Sequence, residues 1–600
     1  SSGEYNVAVG TRALAGFTTG DRNIAIGYEA GDSITTGNNN ISIGHLANDE
    51  TTTGSSNIAI GADALGNNVA GSLLTAVGIN ALQYSGLRGG AAASIHAVGI
   101  GYVAGRYQTG SYNTFVGNFA GQGSQTSAPY GSGDALTAVG AYALSNTVSG
   151  DYNTAIGYAA ASNMRSGSQN VAIGDRAIAG GHGTFANVAI GNTTMYSATT
   201  SERNVAIGHQ ALYTTTTGGG NIAIGYETMR FSTGAEIVSV GMNSMEQSGQ
   251  ASLTVSIGSN TGRYVTGSYN TFVGAYAGQG GTTSAPFSSG ADNTAVGYQS
   301  IKGFTTGNKN TAIGRQSLYL LTEGLENSAI GYFAGYSLTT GDYNTFLGGR
   351  AGRFHTTTNK NTMIGWNAGT NNGGSSNVMV GYNAGAQITG SSNVVIGDNA
   401  GTEAKGTNLV IIGNNAGYYN KLKENVLIGD YAGERMMGTA TTVVGFRAGR
   451  FATNSNNTFM GYGAGQGGQT SAPYSSGENN TAVGYQTLYN FSSGYENTTM
   501  GYEAGHDITT GYENVFLGYR AADKWTTGHT TVAIGNEVLP NATNGTQSVI
   551  IGNDACGVRY TSHLTVIGDE ALTYDHSPGN TIKGTIAIGH RAGYVFRGQG

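Results

Sequence analysis

Six hundred residues would ordinarily fold as several domains, yet 102 glycines, only 5 prolines and 10% charged residues fit neither a typical soluble domain nor collagen, which needs glycine at every third position. A net charge of −7 is small for 61.1 kDa, predicts no polyanion partner, and leaves no basic stripe for nucleic acid. The single cysteine, Cys556, excludes an intrachain disulfide framework and a multi-cysteine zinc site, and no apolar run reaches the ~18 residues that a membrane-spanning helix needs.

From the N-terminus onward the phrase Asn-Thr-Ala-Ile-Gly recurs with variations. Its glycine falls at Gly10, Gly27, Gly44, Gly61 and Gly78, and so on to Gly552, Gly568 and Gly589. There are 34 copies, nearly all spaced by 16 or 17 residues. So short and persistent a period predicts an all-β fold, a parallel β-solenoid (β-roll) of about 34 coils. No ordinary globular sequence interrupts it, so residues 1–600 are expected to form one continuous repeat array. The chain opens within half a repeat and stops just after the last, as a part of a longer polypeptide would.

Within one coil, Asn153-Thr154-Ala155-Ile156-Gly157-Tyr158, alternate side chains of an extended strand share a face. Thr154, Ile156 and Tyr158 point one way; Asn153 and Ala155 point the other. The column just before the glycine is never polar and is mostly β-branched, which predicts a core ladder that includes Ile26, Ile156, Ile173, Ile207, Ile313, Ile396 and Ile534. The column two before the glycine is often alanine, but elsewhere it is Phe115, Phe272, Phe346, Met363, Phe459 or Phe516. It lies on the opposite face, and a strand apolar on both faces is buried on both. This second apolar face is therefore expected to be an oligomer interface, with the chain's partner being itself; the alternative is a strand sandwiched within one thick solenoid.

Other columns mark corners. The residue three after the glycine is small, as a tight corner requires, and the residue four before it is usually asparagine, which suits a turn and can bond to its own kind along a stack. Thr-Thr-Gly, as at Thr18-Thr19-Gly20, marks a second turn and suggests a flattened, two-sided roll whose interior holds side chains and no ligand. The tyrosine that often follows the glycine is expected to stack on its neighbours along the array.

Four longer intervals predict loops near 84–94, 121–133, 278–290 and 465–477. The last three share a Gly-Gln-Gly start and a Thr-Ser-Ala-Pro-aromatic end, so Pro129, Tyr130, Pro286, Phe287, Pro473 and Tyr474 are candidate binding residues. The alternative is that these loops brace a neighbouring chain, with proline and ring packed down. Histidines such as His45, His96, His209, His355, His506 and His590 share no column and read as surface residues. No nucleophile elbow, phosphate loop or calcium nonapeptide occurs, and acidic residues are sparse. No catalytic, cofactor-binding or metal-ligating residue is assigned, and no enzyme activity is expected.

The phrase Asn-Val-Ala-Ile-Gly, at Asn170 to Gly174 and Asn204 to Gly208, resembles the head repeats of trimeric autotransporter adhesins of the YadA type. The longer Asn-Thr-Ala-Ile-Gly-Tyr-x-Ala-Gly form resembles repeats of tail-fibre-like proteins of phages and bacteria. The resemblance implies a left-handed roll, three chains around one axis, and surface attachment. This chain departs from the adhesin pattern in its longer coil and in carrying no coiled-coil stalk or membrane anchor. The expectation is thus a non-enzymatic fibre shaft, a homotrimer or filament at an extracellular, cell-surface or virion location. The alternatives are an adhesin that binds a host or glycan through its loops, and a phage tail fibre or depolymerising tailspike.

Overall fold

The computed structural model describes residues 2–85, 95–123, 130–283, 285–419, 421, 423–468, 470, 474–573 and 581–593. The described residues are all-β with no helix, and they wind as a parallel β-solenoid. Two compact units are present, Ser1–Lys309 and Asn310–Gly600. In the first, three-residue strands run from Val7–Val9 to Thr294–Val296; in the second, from Thr311–Ile313 to Ile586–Ile588. Within each unit, each coil contributes one strand to this sheet, and it pairs in parallel with its counterpart in the next coil. Val171, Ala172 and Ile173 stand on Thr154, Ala155 and Ile156 in this way. Near the end of the second unit a further ladder is formed by Asn544–Thr546, Tyr560–Ser562 and Thr581–Lys583. Elsewhere among the described residues the second extended run expected for a two-sided roll is reduced to isolated parallel bridges, such as Ser168 to Phe185 and Phe185 to Glu202, set among turns and bends.

The two faces of the strand are the reverse of the sequence expectation. Ile26, Ile156, Ile313 and Ile396 are 37–40% exposed, and Ile173, Ile207 and Ile534 are half-buried, so the aliphatic column before the glycine lies on the outer wall. The column two before it is the core: Phe115, Phe272, Phe346, Met363, Phe459 and Phe516 are fully buried within their own chain, as are Ala25, Ala155 and Ala172. The asparagines share this inward face, in accord with the strand's alternation. The glycine then turns the chain. Gly157 has φ 133°, a conformation that L side chains rarely adopt, and a Cβ there would lie 2.5 Å from the carbonyl oxygen of Gly174.

The asparagine column forms a hydrogen-bond spine inside the coil. The backbone N–H of Asn187 donates to Asn170 Oδ1 at 3.1 Å; its Nδ2 donates to the same oxygen at 3.0 Å and to the carbonyl of Ser201 at 2.9 Å. The pattern repeats at Asn170, Asn204 and Asn221. Where the column changes to Ile237 or Leu409, the last asparagine still accepts the backbone N–H, at 3.0 and 2.9 Å. Among the described residues no side-chain polar atom of the spine asparagines is buried without a partner, which avoids the ~1–3 kcal/mol cost of an orphaned group.

The interior has room for one large side chain per level, and two columns share it. Coils with alanine two before the glycine often place Leu, Ile or Met four after it, as in Ala138/Leu144, Ala172/Ile178, Ala206/Leu212 and Ala312/Leu318, all buried. Coils with Phe or Met in the former position have glycine in the latter, as in Phe115/Gly121, Phe272/Gly278, Phe346/Gly352, Met363/Gly369 and Phe459/Gly465, except that Phe516 faces the small Ala522. The preceding coil also yields, with Gly105, Gly262, Gly335 and Gly449 next to the four phenylalanines. A Cβ on Gly352 would collide with the Phe346 ring, and one on Gly335 would reach it at 2.7 Å. Gly352 also has φ 58°. Replacing it with alanine combines a left-handed L residue, at ~1 kcal/mol, with overpacking of ~1–3 kcal/mol.

Gly352→Ala is therefore expected to lower the local opening free energy of its coil by about 2–4 kcal/mol, measured by amide hydrogen exchange. Adding Phe346→Ala should recover part of that loss, a non-additivity that independent sites would not give.

Candidate binding surfaces

The outer wall of the strands is the most extended regular surface. It carries the residues three before and one before the glycine, which are Val, Ile or Thr in most coils, flanked by the aromatic that follows the glycine. In the first unit Ile60, Ile100, Ile156, Ile224 and Ile257 are each 37–41% exposed; in the second Ile313, Ile330, Leu347, Met460 and Met500 are 39–43% exposed. The β-branched side chains gain contacts with identical neighbours above and below, but water covers their outer edge. A continuous apolar stripe of this kind exceeds the scattered exposed hydrophobes of an ordinary soluble surface.

Beside it, the aromatic column stacks as expected. Phe446, Tyr462, Tyr485, Tyr502 and Tyr519 form one run with successive centroids 4.9–5.1 Å apart. A second run, Tyr495–Tyr512–His529, lies in another column at 4.8 and 4.6 Å. These rings are edge-solvated and give each coil a lateral contact with the next.

The inserted loops are anchored to their own chain. Pro129 and Pro473 lie outside the described residues, as does nearly all of the 84–94 loop, while Pro286 is exposed. Tyr130 stacks on Tyr84 at 5.0 Å and on Tyr107 at 6.1 Å, Phe287 on Tyr264 at 6.2 Å, and Tyr474 on Phe451 at 6.2 Å. Each receiving ring follows an arginine that packs over it: Arg106 over Tyr107, Arg263 over Tyr264 and Arg450 over Phe451, at 4.9–5.1 Å. Each arginine is in turn fixed by the adjacent coil. Arg106 Nε donates to Gln83 at 2.7 Å, Arg263 Nε to Glu246 at 2.6 Å and Arg450 Nε to Glu434 at 2.5 Å. The result is one clamp, used three times: an acceptor, an arginine, a ring, then the ring of the loop. Sequence reading found the loop ends but missed the Arg-Tyr or Arg-Phe pair one coil earlier, which is visible as Arg106-Tyr107, Arg263-Tyr264 and Arg450-Phe451.

One histidine departs from the surface reading. His355 is 1% exposed; its Nε2–H donates to the carbonyl of Gly369 at 2.9 Å, and Nδ1 accepts from the Thr358 hydroxyl. Burial pushes its pKa down to about 4, with the Gly369 bond opposing the shift. It occupies interior space beside Phe346, with ring centroids 5.5 Å apart. Cys556 is likewise buried, and its thiol is pushed up to about 12, which removes its nucleophilic character at neutral pH.

The unfolded His355 titrates near 6.5, so between pH 6.5 and 4 the unfolded chain binds a proton that the folded coil does not. The stability due to the neutral imidazole is fully present above pH 6.5 and declines as pH falls through that window, by about 3 kcal/mol in all. Hydrogen exchange of the coils around 355 at pH 7 and at pH 4 should show this loss in the native chain, and His355→Gln should flatten the pH dependence.

Compared with known proteins, the chain matches no family model and no curated sequence.

Proposed function

We propose that this chain is a non-enzymatic structural shaft, which associates with copies of itself through the outer wall of its strands and serves in an extracellular fibre or surface appendage. One observation carries the reading: in each unit, an in-register apolar stripe of half-exposed Ile, Val, Leu and Met on the sheet face that the coils turn outward. The stripe repeats at every coil, so a second copy with the same repeat offers a matching surface over the same length. The hydrophobic stabilisation of such contacts is about 25 cal/mol per Å² of apolar surface, and the gain accumulates coil by coil. The interface thus moves from the phenylalanine column, which is spent on the chain's own core, to the aliphatic column. Three copies around an axis, and placement on a cell surface or virion, follow from the resemblance to adhesin heads and tail-fibre repeats.

Light scattering coupled to gel filtration tests the reading directly. The native chain is expected at a multiple of 61.1 kDa, with three copies the favoured number. Ile207→Asp combined with Ile224→Asp should shift the mass toward one chain while leaving the β circular dichroism unchanged, since both side chains lie on the outer wall. A native mass of one chain at micromolar concentration would overturn the proposal.

A further inference from the structure

In two columns of the coil, five arginines pair with a carboxylate of the adjacent coil. Two after the glycine, Arg12 pairs with Glu29 at 2.7 Å, Arg520 with Glu503 at 2.8 Å and Arg591 with Glu570 at 2.6 Å. Five after it, Arg263 pairs with Glu246 and Arg450 with Glu434. In each case the carboxylate stands in the same column of the adjacent coil. The coil of Gly348 carries an arginine in both columns, and neither has such a partner. Arg350 stands between Phe333 and Asn367, and Arg353 between Tyr336 and Thr370, so neither column offers an acid. Among the described residues neither guanidinium has a side-chain hydrogen bond or an ion pair, and the Nε of each is shielded without a partner. Arg176 and Arg447 also lack a carboxylate in their own column of the neighbouring coils, but Arg176 is the one arginine of its coil, and Arg447 shares its coil with Arg450, which is paired with Glu434.

Both arginines line an open groove of about 430 Å³ that contains no acidic residue and is furnished with the amides of Asn367, Asn371 and Gln387. Rings hold them in place. The Arg353 guanidinium carbon lies 4.8 Å from the centroids of both Phe333 and Phe354, and that of Arg350 lies 5.4 Å from Trp366. Phe354 is 48% exposed and Trp366 42%, so apolar faces remain open beside the charges. Two pre-positioned guanidiniums, side-chain amides and exposed aromatic faces supply the three contacts that an acidic sugar uses: a charge-assisted bond to its carboxylate, hydrogen bonds to its hydroxyls, and packing against its ring.

We propose that the groove at Arg350 and Arg353 binds a carboxylate-bearing sugar residue within a glycan. The net charge of −7 disfavours a long polyanion, so a single acidic residue in an otherwise neutral or sparsely charged chain fits better than a densely sulfated polymer. The site is separate from the outer wall of the strands and from the inserted loops, and it does not depend on the shaft reading.

Saturation-transfer NMR and titration of the full chain with digalacturonate, lactose and sodium acetate test it. Digalacturonate is expected to bind, and lactose to bind at least tenfold more weakly. Arg350→Gln with Arg353→Gln should weaken digalacturonate at least tenfold with unchanged circular dichroism, while Arg176→Gln leaves it unaltered. Three results would overturn the proposal: no digalacturonate binding, equal binding by the double variant, or acetate binding as tightly as the sugar, which would mark an adventitious ion only.

Discussion

In-register stacking governs this molecule. Each residue stands on its counterpart in the next coil, so any property of a side chain is repeated along a column and has its consequences there. Asparagine placed on asparagine becomes a buried spine in which one Oδ1 serves two donors of the next coil. Tyrosine on tyrosine becomes a run of stacked rings. Arginine placed on glutamate becomes an ion pair across coils, and without a glutamate the guanidinium is left available.

The same constraint explains which parts of the fold were legible. The period, the parallel strand, the glycine corner, the asparagine stack and the aromatic stack all follow from repeated local chemistry, and the sequence displays that chemistry at every coil. The direction of the strand's faces was not legible from column strictness. The pre-glycine column is uniformly aliphatic, which reads as a core, yet Ile156 is 39% exposed. Its uniformity reflects flat packing against identical neighbours on an outer wall. The inner column varies from Ala to Phe because the column four after the glycine varies against it, and that reciprocity appears only when both are read together. Asn153 gave a further clue: a polar residue that shares a face with Ala155 can be inside if the stack satisfies it.

The surface features were less legible for a different reason. A loop end such as Phe287 is recognisable as an exception to the period, but its destination on Tyr264 depends on a ring one coil back and an arginine fixed by Glu246 two coils back. His355 offers no sequence sign of burial, because its partners, the Thr358 hydroxyl and the Gly369 carbonyl of the next coil, meet the ring only once the coils are stacked. Such sites are defined by what the adjacent coils supply.

The reciprocity of the interior also sets how such an array can be rearranged. A coil that carries Phe115, Phe272 or Phe459 is not a free module, since its ring requires a glycine in its own coil and another in the coil before it. The clamp that seats the inserted loop spans the same coils. Insertion, ring, arginine and both glycines therefore have to be copied as one block, and the three loop-bearing segments repeat together in that form. Ala/Leu coils, by contrast, meet one another with the same interior profile above and below. Junctions between them are the places where coils can be added or removed without repacking, so length can change there while the clamped segments pass unaltered from one variant to the next.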